Sequence, residues 1–182
     1  MHGYAGLVIL ALMCQSALSE DVEASHATDK GSVLVAALVS PAGLQPSVRV
    51  FAASSFALGG WFSANGERSR PSGEDPTTII ALSFGPEATY FFGKPGSALL
   101  PYVDGCATLG FSNSRDSYGD YESSQAGLKL AVGLCPLIGK HGAAMVEVGY
   151  SLSEHTVGYV NDLTSGSTAA VYIAAGFGGF IF

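Results

Sequence analysis

Arg49, Glu87, Asp104, Lys129 and Glu147 share a property that bears on chemistry. Each falls on the polar side of a segment whose other side is apolar. Two cations and three carboxylates grouped this way either neutralise one another as a buried network or line a path for protons or ions. The network is the expectation, because unpaired buried charge is very costly. Cys106 and Cys135 occupy the same polar side of neighbouring segments. If the hairpin between them turns at Asp120 and Tyr121, they lie directly opposite, and an oxidising compartment would join them as a disulfide. Ser153, Glu154 and His155 bring a hydroxyl, a carboxylate and an imidazole together. That set could activate a nucleophile, but in an extended segment Glu154 points away from the other two, and no known motif surrounds them. His26 and His141 sit in a tail and a turn, so neither a metal site nor a cofactor is expected.

The elements that must carry these residues read as strands. Eight segments rich in Gly, Ala and aromatics span 31–39, 44–53, 56–64, 77–92, 99–111, 123–138, 142–155 and 167–182. They alternate with period two and show no helical periodicity. In the fourth, Ile80, Leu82, Phe84, Pro86, Ala88, Tyr90 and Phe92 form one face, while Glu87 lies on the other. The fifth, sixth and seventh repeat the pattern, with Asp104, Lys129 and Glu147 opposite apolar faces. The connections at 54–55, 93–98 and 139–141 are short; those at 65–76, 112–122 and 156–166 are long and polar. Only 40–43 breaks the alternation, which predicts a low rim at that corner. Short turns on one side and long loops on the other suit a transmembrane barrel. Loops carrying Arg68, Arg70, Glu74, Asp75, Tyr118 and Tyr159 suit contact at a surface.

Composition narrows the class. The chain has 182 residues, a net charge of −7 and 13% charged residues, with a mean hydropathy of +0.34. The acidic balance disfavours nucleic acid. Residues 1–19 read as a secretory signal peptide with an apolar core at 7–13 and a small-residue cleavage site at Ala17-Leu18-Ser19. A lipidated Cys14 is the alternative, against which Met13 is a poor preceding residue. Residues 20–30 read as a polar, loose lead-in, and 31–182 as the barrel. Beyond residue 19 no apolar run approaches the roughly 20 residues of a spanning helix. A water-facing exterior on eight strands would need far more charge than Arg49, Glu87, Asp104, Lys129, Glu147 and Glu154 supply. Aromatics near strand ends suggest two interfacial girdles: Phe51, Phe56, Tyr90, Phe92, Tyr102, Phe180 and Phe182 toward the short turns, and Trp61, Phe62, Phe111 and Tyr150 toward the long loops.

Residues 85–92 (GPEATYFF), 100–105 (LPYVDG), 144–150 (AMVEVGY) and the terminal strand ending at Phe182 carry a resemblance in their order and spacing. The chain resembles the small eight-stranded outer-membrane β-barrel domains of Gram-negative bacteria over roughly 31–182. The resemblance implies an all-β, eight-stranded antiparallel up-and-down transmembrane barrel with both termini in the periplasm. It further implies insertion by a barrel-assembly machinery that reads the C-terminal aromatics Phe180 and Phe182, with Phe182 facing lipid at the periplasmic interface. Expected partners are outer-membrane lipid and lipopolysaccharide, and the expected state is a monomer. Function is read as non-enzymatic, in envelope integrity or surface contact through the loops. A lipid-modifying enzyme using Ser153 and His155, and a soluble lipocalin-like ligand-binding barrel, stand as alternatives.

Overall fold

The computed structural model describes residues 27–40, 43–69, 77–93, 97–116, 119–159 and 162–182. The expected signal peptide and residues 20–26 of the lead-in therefore lie outside the described residues. Eight strands form a closed barrel in chain order: β1 (Val33–Ser40), β2 (Gly43–Ala53), β3 (Phe56–Ser69), β4 (Thr77–Phe91), β5 (Leu99–Asp116), β6 (Gly119–Ile138), β7 (Gly142–Tyr159) and β8 (Asp162–Ile181). Every neighbouring pair is antiparallel, and β8 closes on β1 from Val33↔Ile181 to Val39↔Ala175. Closure leaves no free edge through that part of the wall, which a strand in hydrocarbon requires.

The period-two pattern is used in one sense throughout. Leu82, Phe84, Leu109, Phe111, Leu128, Leu130, Val132, Val148 and Leu152 point outward and are exposed, whereas Arg49, Glu87, Asp104 and Glu147 are buried inside. Such an exterior in water would lose roughly 25 cal/mol for each Å² of apolar surface left uncovered. It matches the apolar band of a barrel standing in a bilayer. The soluble-barrel alternative required the faces to be exchanged.

At the short-turn end the β2–β3 turn is a two-residue link in which Ser55 adopts a positive φ of 68°. Residues 27–32 are fixed there rather than loose. The Gly31 amide donates to the Phe51 carbonyl at 2.8 Å, the Ser55 amide to the Thr28 carbonyl at 3.0 Å, and Ala27 joins the core. At the opposite end the strands run further than the sequence pattern indicates. Residues expected as the loops 112–122 and 156–166 continue the ladders to Asp116↔Gly119 and Tyr159↔Asp162. Serines and threonines keep the backbone paired where apolar alternation has ceased; Ser112 and Ser123 hydroxyls, for instance, lie 2.6 Å apart across β5–β6. Because β1 ends at Ser40, the rim is low at the β1–β2 corner, as the short 40–43 connection predicts.

Candidate functional site

The lumen is layered. Its short-turn end is closed by an aromatic plug: Phe51 lies 5.5 Å from Phe91 and 6.2 Å from Phe180, and Phe91 lies 5.6 Å from Tyr102, centroid to centroid. Leu34, Leu100, Cys135, Leu137 and Met145 complete it. Phe51, Tyr102, Phe180 and Trp61 are thus core residues and leave the expected girdles. Strand parity explains the correction: Trp61 and Phe62 are adjacent and must face opposite ways, and only Phe62 points out. Outward aromatics remain near both ends of the band, with Tyr90 and Phe92 at one and Phe62, Phe84, Phe111 and Tyr150 at the other.

Above the plug sits the charge layer. Arg49 is fully buried; its Nε donates to Glu87 Oε2 and its Nη2 to Glu87 Oε1, both at 2.7 Å. The two parallel bonds form the bidentate arrangement that a planar guanidinium favours. Thr89 Oγ1 donates to Asp104 Oδ1 at 2.5 Å, and the Tyr102 hydroxyl donates to Glu147 Oε2 at 2.9 Å. Lys129 is not ion-paired among the described residues. Its Nζ lies 4.4 Å from the centroid of the Trp61 ring and 5.9 Å from that of Tyr172, a cation–π placement. The five charged residues therefore share one lumen, but only Arg49 and Glu87 pair directly. Hydroxyls and rings satisfy the rest.

Sequence reading missed Thr89, Tyr102, Trp61 and Tyr172 as members of this layer. Their signal was parity: Tyr102 and Asp104 share a face, as do Thr89 and Glu87. A second signal lay in the glycines opposite the tyrosines. Gly133 faces Tyr102 and Gly149 faces Tyr172 across the ladders. A Cβ at Gly149 would come within 2.6 Å of the Tyr172 ring, so the missing side chain is what lets that tyrosine lie flat over the neighbouring strand.

The cysteines do not meet. The β5–β6 ladder closes at Asp116↔Gly119, so Cys106 faces Lys129 and Cys135 faces Leu100. Cys106 is thereby displaced from Cys135 by six ladder positions, roughly 20 Å along the strands. Both are free thiols. The polar stretch between them carries no alternation, and the expected turn at Asp120 and Tyr121 lies too far along it. Ser153 and His155 face inward and Glu154 outward, and among the described residues no hydrogen bond joins the serine to the histidine. Phe182 is exposed. It follows the last ladder pair and stacks on His141, with centroids 4.8 Å apart and planes 29° apart. Arg70, Glu74, Asp75 and Tyr118 lie outside the described residues.

Within the charge layer a cavity of about 10 Å³ is lined by Gln45, Ser47, Trp61, Lys129 and Tyr172 together with the carboxylates of Glu87, Asp104 and Glu147, room for about one water. Beyond it the inward positions are mostly small and polar: Ser63, Ser83, Thr108, Gly110, Gly127, Ser151 and Ser153.

A closed eight-stranded antiparallel barrel with an apolar exterior, a charged interior and one tall end has the fold of the small outer-membrane β-barrels. The N-terminal β-barrel domain of Pseudomonas aeruginosa OprF is similar to this chain, with a TM-score of 0.56 and 15% identity, covering 84% of this chain and 98% of that one. Neisserial surface protein A is similar with a TM-score of 0.47 and 19% identity, over 81% of this chain and 92% of that one. No protein-family model and no curated protein sequence matches the chain.

Proposed function

We propose that the protein is a non-enzymatic integral barrel of the bacterial outer membrane, acting in envelope integrity or in surface contact through its tall end. The carrying observation is the distribution of polarity, an exterior belt of exposed Leu, Val, Ile and Phe around a lumen holding the buried charges. The plug of Phe51, Phe91, Tyr102 and Phe180 supports a structural role over conduction, since eight strands leave an interior that side chains fill. Under this reading the protein is a monomer surrounded by outer-membrane lipid and lipopolysaccharide. Its termini are periplasmic, and an assembly machinery reads the strand that ends in Phe180 and Phe182.

Fractionation of cells with analysis of gel mobility tests the proposal. The barrel should be recovered with outer membranes and should migrate differently before and after boiling. Recovery in the soluble periplasm would overturn it. Deleting Phe182 should lower the inserted fraction several-fold; normal insertion of that variant would remove the assembly role.

A further inference from the structure

β8 has 20 residues and its neighbour β1 has 8. β1 stops at Ser40, and its last pairing with β8 is Val39↔Ala175. β8 continues up to Asp162 with β7 as its one partner among the described residues. On the other side of the low corner the wall stays closed to a greater height, because Gly43 of β2 lies against Asn65 of β3. The open edge therefore belongs to β8. Ser167, Thr168, Ala169, Ala170 and Val171 are all exposed there, inward and outward positions alike, and Val171 reaches 73%.

The direction of the free backbone groups follows from the β7–β8 ladder. The Phe180 amide donates to the His141 carbonyl at 2.7 Å, and the Ser151 hydroxyl donates to the Ala170 carbonyl at 3.3 Å. The register between the two strands holds without a shift from Gly142↔Gly179 to Tyr159↔Asp162. In an antiparallel pair the N–H and C=O of one residue point to the same side, and the side alternates along the strand. Even-numbered residues of β8 thus face β7, whereas Ser165, Ser167, Ala169 and Val171 turn their amides and carbonyls to the opening. The side chains of these four point out of the barrel; Gly166, Thr168 and Ala170 on the inner face are small. Val171 stands in the apolar belt, and an open edge at that depth is tolerated only against protein or water. Glu154, outward and exposed on β7, is the cross-strand neighbour of Ser167.

We propose that the upper edge of β8 is a strand-addition site, taking an extended segment of another polypeptide antiparallel to residues 165–171, directly above β1. Such a strand continues the β1–β8 ladder that ends at Val39↔Ala175. Below the corner β1 and β2 fill the two places between β8 and β3, a width of roughly 14 Å at about 4.8 Å per strand step, so one added strand fits beside β8. Main-chain hydrogen bonds supply affinity in this mode, and alternate side chains supply specificity. Beside Val171 the outer face of the segment meets lipid and calls for an apolar residue. Beside Ser167 it calls for lysine or arginine: two strand steps, roughly 10 Å, separate that position from Glu154, and the two side chains meet over the serine. The inner face meets Thr168 and the polar lumen and calls for small or polar residues. A second copy cannot supply the strand through its own β8 edge. Antiparallel pairing would turn one barrel upside down in the membrane, and parallel pairing would set the two barrel axes roughly 80° apart, twice the strand tilt.

Amide hydrogen exchange of the full-length barrel in detergent micelles, followed by NMR, tests the site. The probe is a synthetic peptide alternating threonine with valine, with lysine at the central valine position. Without peptide the amides of Ser165, Ser167 and Ala169 should exchange freely, while β7 protects those of Gly166, Thr168 and Ala170. Peptide should slow the first set about tenfold or more and leave the second set unchanged. Ser167→Pro removes an N–H that faces the opening and no bond to β7; it should keep heat-dependent migration and weaken the peptide about tenfold. A peptide N-methylated throughout its core should not bind the unaltered barrel, and Glu154→Gln should weaken the lysine peptide about threefold. Protection of the first set without peptide would overturn the proposal, because residues of the chain itself would then pair with the edge. Equal slowing of both sets, unchanged binding to a folded Ser167→Pro barrel, or binding of the N-methylated peptide would overturn it too. Unchanged affinity in Glu154→Gln would overturn the basic residue assigned to the partner. The inference rests on the membrane reading for the depth of Val171 and for the exclusion of a second copy. Failure of that reading shows in fractionation and leaves the exchange pattern standing, whereas failure of the site shows in exchange and leaves fractionation intact.

Discussion

The Arg49–Glu87 pair offers a quantitative check on the lumen. Replacing Arg49 by Met removes both 2.7 Å bonds and leaves Glu87, itself only 7% exposed, as an uncompensated buried charge. Loss of one partner of a buried pair costs about 3–5 kcal/mol. A direct attraction of about 4 kcal/mol, for charges about 4 Å apart at an effective dielectric of about 20, is of the same size. Glu87→Leu leaves the converse problem, a fully buried guanidinium whose Nη1 already lacks a partner. The double variant Arg49→Met with Glu87→Leu removes both charges and fills the space with apolar volume. Its stability should return to within about 2 kcal/mol of the native barrel or exceed it, because well-packed apolar replacements of buried pairs are often neutral or stabilising. Urea unfolding in vesicles, followed by the emission of Trp61 and by heat-dependent migration, measures all four proteins. A coupling energy of about 3 kcal/mol or more is expected. Single variants shifted by less than about 1 kcal/mol, or a double variant equal to the sum of the singles, would refute the claim that the two charges are buried against each other.

Other consequences concern the plug, the cysteines and a glycine. Phe51→Ala empties the centre of the aromatic plug; it should cost about 3–5 kcal/mol and raise ion leak in planar bilayers, where the native barrel should show no conductance steps. Cys106 and Cys135 should both be alkylated after unfolding without prior reduction, and mild oxidation of the folded barrel should form no intrachain disulfide. Gly149→Ala should displace the Tyr172 ring from β7, at a cost of about 1–3 kcal/mol in the same unfolding assay. An unshifted midpoint would mean that Tyr172 does not lie across that strand.

Eight segments divided by turn residues specified the strand count, and the alternation in residues 77–92, 99–111, 123–138 and 142–155 specified an apolar outer face and inward charges. Side-chain direction in a strand is a local, period-two property that needs no knowledge of the partner strand. The low β1–β2 corner was legible for a similar reason, as loop length is read directly from the chain. Register was not legible. It depends on where a hairpin tightens, and the turn between β5 and β6 lies in a polar stretch with no alternation to pin it. The tertiary structure alone therefore decided that Cys106 faces Lys129, that Arg49 meets Glu87 and that Tyr102 meets Glu147.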